Sequence, residues 1–262
     1  EAGAIQSISG YVGTASDYDI TDTATALISA TDSVLNVSGV DTVTVSDGPV
    51  LADTGEKLAK LSKDVEFDVV DNADAIAIEV ADSGYGAGSL DEANNVAVVS
   101  GDVTASEAGA IQSISGYVGT ASDYDITDTA AALISAKDDV LNVAGVDIVT
   151  ASDTSVDAKI GGDLAGFTAD IEFDVVDNAD AIAIEVADSG YGAGSLDEAN
   201  NVAVVSGDVT ASEAGAIQSI SGYVGTASDY DITDTAAALI SAKDDVLNVA
   251  GVDIVTASDT SV

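Results

Sequence analysis

Tyr124-Asp-Ile-Thr-Asp-Thr-Ala-Ala-Ala-Leu-Ile-Ser-Ala136 joins two patterns that belong to different secondary structures. The first five residues alternate apolar and polar, which places Tyr124 and Ile126 on one side of a short strand. The alanine-rich remainder suits a helix, with Leu133 and Ile134, then Val140 and Leu141, at helical spacing. A strand running straight into a slim helix is therefore the unit to look for elsewhere in the chain.

It recurs. Tyr18-Asp-Ile-Thr-Asp22, Val43-Thr-Val-Ser-Asp47, Phe67-Asp-Val-Val-Asp71 and Val98-Val-Ser-Gly-Asp102 each end on aspartate ahead of an alanine-rich segment. Spacings of 25, 24, 31 and then 26 residues to Asp128 make up a longer period of 106. After Asp71, the residues Ala73, Ile76, Ala77, Val80 and Ala81 lie on one helical face; after Asp102, Ala108, Ile111, Ile114 and Val118 do the same. Aspartate ahead of each helix suits an N-cap, where its carboxylate accepts backbone N–H groups and meets the positive end of the helix dipole.

The 106-residue period divides the chain into copies at 1–106 and 107–212, and a partial copy at 213–262, as in a window of a longer array. Residues 107–156 and 213–262 are identical. The first two copies differ mainly between 25 and 65, where length is constant and Val50/Val156, Leu58/Leu164 and Ala59/Ala165 are kept. Constant length with changing surface letters indicates a packed unit rather than a free linker. The Gly84-Tyr-Gly-Ala-Gly88 insert in the longest subdivision reads as a bulging loop.

Four strand-helix coils per period predict an α/β solenoid with a continuous parallel sheet. Parallel strands stack about 4.8 Å apart and ordinary helices pack about 8–10 Å apart, so slim alanine-rich helices reduce the curvature of such a stack. The alternative is a string of tandem Ig-like β-sandwiches, since 106 residues suits that domain. That alternative must read Ala75-Ile-Ala-Ile-Glu-Val-Ala81 as a strand and leaves the alanine-rich stretches unexplained.

Composition narrows function. Six Lys and Arg against 47 Asp and Glu give a formal charge of −41, which excludes nucleic acid or an anionic membrane reached through electrostatics. A hydrophobic content of 47% is too high for a disordered acidic tail. Cysteine and histidine are absent, which removes disulfides, thiolate and imidazole metal sites, and the Ser-His and Cys-His constellations. No run of apolar residues is long enough to span a bilayer, so no membrane insertion is expected. Paired carboxylates are left as acid/base machinery, but with 47 acidic residues such pairs carry little specificity. No enzymatic activity is expected.

Divalent cations are the natural counter-ligands, and calcium takes several oxygen ligands of the kinds this chain offers. The strongest local cluster is Asp17 with Asp19, repeated as Asp123 with Asp125 and Asp229 with Asp231. Alternate strand residues share a face, so each pair is expected to project together. The competing reading is a solvated acidic face with capping aspartates. Lys57, Lys60 and Lys63 form the one basic cluster, with Glu56 and Lys60 spaced as an i,i+4 pair. Tyr11, Tyr18 and Tyr85 recur with the period, either as packing residues or as platforms for sugar.

Tyr124 to Ala136, followed by Val146-Asp-Ile-Val-Thr-Ala-Ser-Asp153, resembles the "DTAANLAA…VTVTDA" repeats of giant bacterial surface and secreted proteins, large repetitive adhesins of which some use RTX-type export. The resemblance implies an extracellular or cell-surface location and a stalk or fibre role. The calcium-binding RTX nonapeptide is missing, so the resemblance does not extend to calcium-triggered folding. The expectation is an extracellular structural protein forming a filament, stalk or surface-layer scaffold, with further copies of itself as partners, head-to-tail or lateral. The alternative is a multivalent adhesin array binding carbohydrate, ice or another surface, with calcium as a ligand. No cofactor is required by either.

Overall fold

The computed structural model describes residues 1–15, 17–81, 89–187 and 195–259. The glycine-rich insert at 84–88 and its Tyr85 lie outside the described residues. Two compact units are present, one of residues 1–126 with 143–147, the other of 127–142 with 148–262.

In the first unit, α1 (Ala2–Gln6), β1 (Tyr18–Asp22), α2 (Ala24–Ser29), α3 (Asp32–Leu35), β2 (Val40–Val45), α4 (Ala52–Ala59), β3 (Asp68–Asp71), α5 (Ala73–Ala81), β4 (Asn95–Val98), β5 (Asp102–Val103), α6 (Ala105–Gln112) and the start of β6 (Tyr124–Asp128) follow one another. In the second, α7 (Ala130–Ala136), α8 (Asp138–Leu141), most of β7 (Val146–Ala151), α9 (Ala158–Ala165), β8 (Ile171–Glu172), β9 (Asp174–Asp177), α10 (Ala179–Ala187), β10 (Asn201–Val204), β11 (Asp208–Val209), α11 (Ala211–Gln218), β12 (Tyr230–Asp234), α12 (Ala236–Ala242), α13 (Asp244–Leu247) and β13 (Val252–Ala257) do so.

The class is α/β, and the strand pairings recorded within each unit are parallel. The antiparallel Ig-like sandwich is therefore corrected: residues 73–81 and 130–136 are helices, and helical crossovers are what parallel neighbours require. Pairing is organised in short sheets, such as β1 with β2, β3 with β4, and β11 with β12 and β13. Isolated parallel bridges extend it: Thr44 to Glu66, Val50 to Val69 and Val96 to Tyr117 in the first unit, Val156 to Val175 and Val202 to Tyr223 in the second. Short strands explain the interruptions. A register shift lies between Tyr18 and Ile20, and β4 is separated from β5 by a turn in which Gly101 takes φ +120°.

Helices pack in chain order, α2 on α4, α4 on α5 and α5 on α6 in the first unit, α7 on α9, α9 on α10, α10 on α11 and α11 on α12 in the second. The core lies between helices and strands. Val43, Val69, Val96 and Ile126 from the strands and Leu27, Leu58, Ile76 and Ile111 from the helices are all buried. Burial of such a side chain stabilises by about 1.5–3 kcal/mol. Gly55 and Gly161 sit inside α4 and α9 for a packing reason. A Cβ at Gly161 would lie 2.7 Å from Val175 Cγ2 and close to Phe173 and Leu196, so the helix approaches the sheet only without one.

Capping differs from the sequence expectation. The strand-end aspartate lies ahead of the N-cap of its own helix, by one residue at Asp22, Asp128 and Asp234, by two at Asp102 and Asp208 and by four at Asp47 and Asp153, and threonine fills the N-cap at Thr23, Thr104, Thr129, Thr210 and Thr235. Asn72 and Asn178 accept from the N–H groups of Ala75 and Ala181 in the same manner. Thr104 and Glu107 form a reciprocal capping box. Hydrogen bonds from the Thr104 hydroxyl and its backbone N–H hold the Glu107 carboxyl below the usual carboxylate range. Of the aspartates, Asp157 caps its own helix, accepting from Ile160 N at 2.8 Å.

Candidate functional site

The strand-end aspartates bond across coils. Asp47 Oδ1 accepts the N–H of Ala24 at 2.9 Å, 23 residues back, and Asp71 Oδ2 accepts that of Ala52 at 3.0 Å, 19 residues back. The second unit repeats this with Asp153 and Ala130, Asp177 and Ala158, Asp234 and Ala211, and Asp259 and Ala236. Each of these alanines opens a helix, so every such bond places a carboxylate at a helix N-terminus contributed by an earlier coil. In three of these aspartates the other carboxylate oxygen stays within its own coil. Asp71, Asp177 and Asp234 use Oδ1 for the N–H of Asn72, Asn178 and Thr235 at 2.7–2.8 Å. One carboxylate thus satisfies backbone donors from two successive coils, which explains why aspartate recurs here.

The predicted cation pairs stand differently. Asp17 is exposed just ahead of β1, and Asp19 is exposed within it, its Oδ1 accepting from both the N–H (3.2 Å) and the hydroxyl (2.5 Å) of Thr42. Asp123 and Asp229 are exposed ahead of β6 and β12, with their N–H groups bonded to Val98 and Val204 carbonyls. Asp125 and Asp231 are half-buried in those strands, and Asp231 Oδ1 accepts from Ile254 N at 3.1 Å. No cluster of three or more potential metal-ligating side chains occurs among the described residues. A pair of carboxylates alone falls short of the six to eight oxygens that calcium takes.

Charged side chains on the outer helices follow pairing rather than position. Lys57 meets Asp53 at 2.6 Å in the first copy; at the equivalent places Lys159 meets Asp163 at 3.1 Å, with the signs exchanged. The nearly buried Glu56 meets Lys60 at 2.5 Å, the i,i+4 pair expected from sequence, and both partners are replaced together by Gly162 and Gly166. Joint loss leaves no buried charge without its partner. A recognition site for a charged ligand at these positions would need one sign at a fixed place, whereas the two pairs keep only their mutual neutralisation.

Among the described tyrosines, Tyr124 and Tyr230 are buried and Tyr11, Tyr18, Tyr117 and Tyr223 half-buried. Tyr124 and Tyr230 are buried and accept from the side-chain amides of Gln112 and Gln218 at 2.8 and 2.7 Å. Burial pushes both phenols well above the ordinary tyrosine range, and the Gln donation only partly offsets it. Tyr117 and Tyr223 donate to the Ala144 and Ala250 carbonyls, both at 2.9 Å. In the first copy Gln6 donates to Tyr18 at 2.7 Å, and the Tyr11 hydroxyl reaches the Ser38 carbonyl. No helix among the described residues is long and apolar enough to cross a membrane.

No protein-family model, curated protein or solved structure matches the chain.

Proposed function

We propose that this chain is a non-enzymatic structural repeat protein whose coils stack as an α/β solenoid, forming an extracellular filament, stalk or surface-layer scaffold. The observation that carries the reading is the recurring aspartate bond that joins the starts of α2, α4, α7, α9, α11 and α12 to a later strand end, with a serine carbonyl, Ser100 or Ser206, taking that place for α5 and α10. Nearest-neighbour stitching makes stability a sum of coil and interface contributions, so length can be added without a new core. The parallel bridges between short sheets support one sheet running through successive coils.

Inward-bonded tyrosines and sign-exchanged ion pairs support a scaffold over an array of exposed binding platforms. The outer acidity supplies solubility and, with a formal charge of −41, diffuse contacts with divalent cations. Calcium held specifically at Asp17/Asp19 and its equivalents is the further part of the proposal. Electron microscopy of the native material, with and without a calcium chelator, tests the reading. Immunolabelled extracellular fibres support it, and label confined to the cell interior overturns it. A calcium titration that leaves thermal stability unchanged removes the specific cation sites alone.

A further inference from the structure

Asn36-Val37-Ser38 has the form of a glycosylation acceptor, an asparagine followed two places on by a hydroxyl residue with no proline between. No other asparagine of the chain has serine or threonine at that distance. The triplet lies in the stretch where the copies diverge. At 142–144 and 248–250 the letters are Asn-Val-Ala, so the asparagine recurs and the serine does not.

The three turns are nonetheless built alike. Asn36 directly follows α3, as Asn142 follows α8 and Asn248 follows α13. Val40 N donates to the Val37 carbonyl at 3.0 Å, Val146 N to that of Val143 at 3.1 Å and Val252 N to that of Val249 at 3.2 Å. Gly39, Gly145 and Gly251 take φ +105°, +101° and +100°. A tyrosine hydroxyl holds the carbonyl ahead of each glycine, Tyr11 on Ser38, Tyr117 on Ala144 and Tyr223 on Ala250. These bonds use only the backbone of the third residue, so alanine serves the turn as well as serine, and the Ser38 hydroxyl is surplus to the fold. Serines whose hydroxyls the fold uses are kept instead. Ser122 and Ser228 accept from Val98 and Val204 N–H groups, both at 3.1 Å, and neither position changes between copies.

Access fits a modification. Asn36 and Ser38 are exposed, and so are Asn142 and Ala144 in an interior coil, so the exposure belongs to the turn itself. The backbone at Asn142 has left the helix, with φ −108° and ψ 40°, and an irregular exposed turn of this kind is where an enzyme can reach a side-chain amide. Neighbouring letters change along with Ser38: Thr31 and Ser33 stand where the later copies have Lys137 and Asp139.

We propose that Asn36 is a modification site, the acceptor of an N-linked glycan from a sugar activated as a diphosphate ester, with the Ser38 hydroxyl as the element the transferase reads. The inference rests on the extracellular reading. In the transfer, Asn36 Nδ2 bonds the anomeric carbon of the sugar and the bond from that carbon to the diphosphate oxygen breaks. The diphosphate leaves with the electron pair, and the amide proton passes to a base of the transferase. The glycan marks the first copy alone, since Asn142 and Asn248 lack the hydroxyl.

Peptide mass spectrometry on native material recovered from outside the cells tests the site. A hexose or N-acetylhexosamine mass on the Asn36 peptide is expected, with the peptides of Asn142 and Asn248 bare. A single sugar indicates a monosaccharide donor, and an oligosaccharide of one mass a preassembled donor; both support the site. Returned to the same host, Ser38→Ala loses the glycan while keeping the parent's far-ultraviolet circular dichroism, Ser38→Thr retains it, and Ala144→Ser gains a second glycan at Asn142. A bare Asn36 on extracellular material, a glycan that survives Ser38→Ala, or an Asn142 that stays bare in Ala144→Ser overturns the proposal and leaves the extracellular reading standing. Protein found only inside the cell, with Asn36 bare, overturns both.

Discussion

Asp177 Oδ2 accepts the backbone N–H of Ala158 at 3.0 Å, across 19 residues, while its Oδ1 holds the N–H of Asn178 at 2.7 Å and the side-chain amide of Asn178 at 2.9 Å. Ala158 is fully buried, so its N–H has no access to water as a substitute. Leaving a buried donor without its acceptor costs about 1–3 kcal/mol. Asp177→Ala is therefore expected to lower stability by that amount. Asp177→Asn, which keeps a single acceptor oxygen, is expected to lose less. Urea unfolding of the two variants checks the order; equal midpoints for Asp177→Ala and the parent chain would remove the stitching role.

The copies offer a comparison at a helix start. Asp157 caps α9 through Ile160 N at 2.8 Å, whereas its counterpart Leu51 precedes α4 with no side-chain cap and lies 59% exposed. Leu51→Asp is expected to stabilise by about 1 kcal/mol, the ordinary gain from a capping side chain. The thermal midpoint should rise, and an unchanged or lower midpoint contradicts the capping account.

Lys137 and Lys243 adopt φ near +62° and +61° with ψ near 180°, a region that side chains with a Cβ rarely enter. Each joins two short helices, α7 to α8 and α12 to α13. Such backbone costs about 1–3 kcal/mol, and glycine avoids it. Lys137→Gly is expected to stabilise by about 1 kcal/mol while Lys137→Ala does not. Matching effects from both substitutions would point to the lost charge instead.

Tyr124 and Tyr230 give an alkaline limit. Their phenols ionise at higher pH in the folded chain than in the unfolded one because burial disfavours the phenolate. Their contribution is complete below the unfolded value of about 10 and is lost as pH climbs above it. A Tyr124→Phe/Tyr230→Phe double variant is expected to flatten the fall in stability above pH 10, measured by denaturant unfolding across that range. A slope identical to the parent's excludes these two residues as its cause.

Much of the fold was legible because periodicity reports burial. Tyr18–Asp22 and Ala73–Ala81 form as a strand and a helix at the expected bounds, since alternation and the 3.6-residue spacing each leave one solution. The helix after Asp102 stops at Gln112, short of the spaced Ile114 and Val118; Ile114 is buried from a turn, which periodicity cannot distinguish from a further helical turn. The long-range role of the aspartates was not legible. A capping aspartate and one that bonds a helix start 19 or 23 residues back look the same in sequence. Gly161 carried a usable signal: glycine kept inside a helix in both copies, against its low propensity, marks close packing.

Small-angle X-ray scattering on chains of one, two and three further 106-residue copies tests the stacked-coil account most directly. A continuous stack predicts a constant cross-section, with maximum dimension growing by the same increment for each copy added. A dimension that grows ever more slowly per copy, with scattering from separate compact bodies on flexible links, would contradict it.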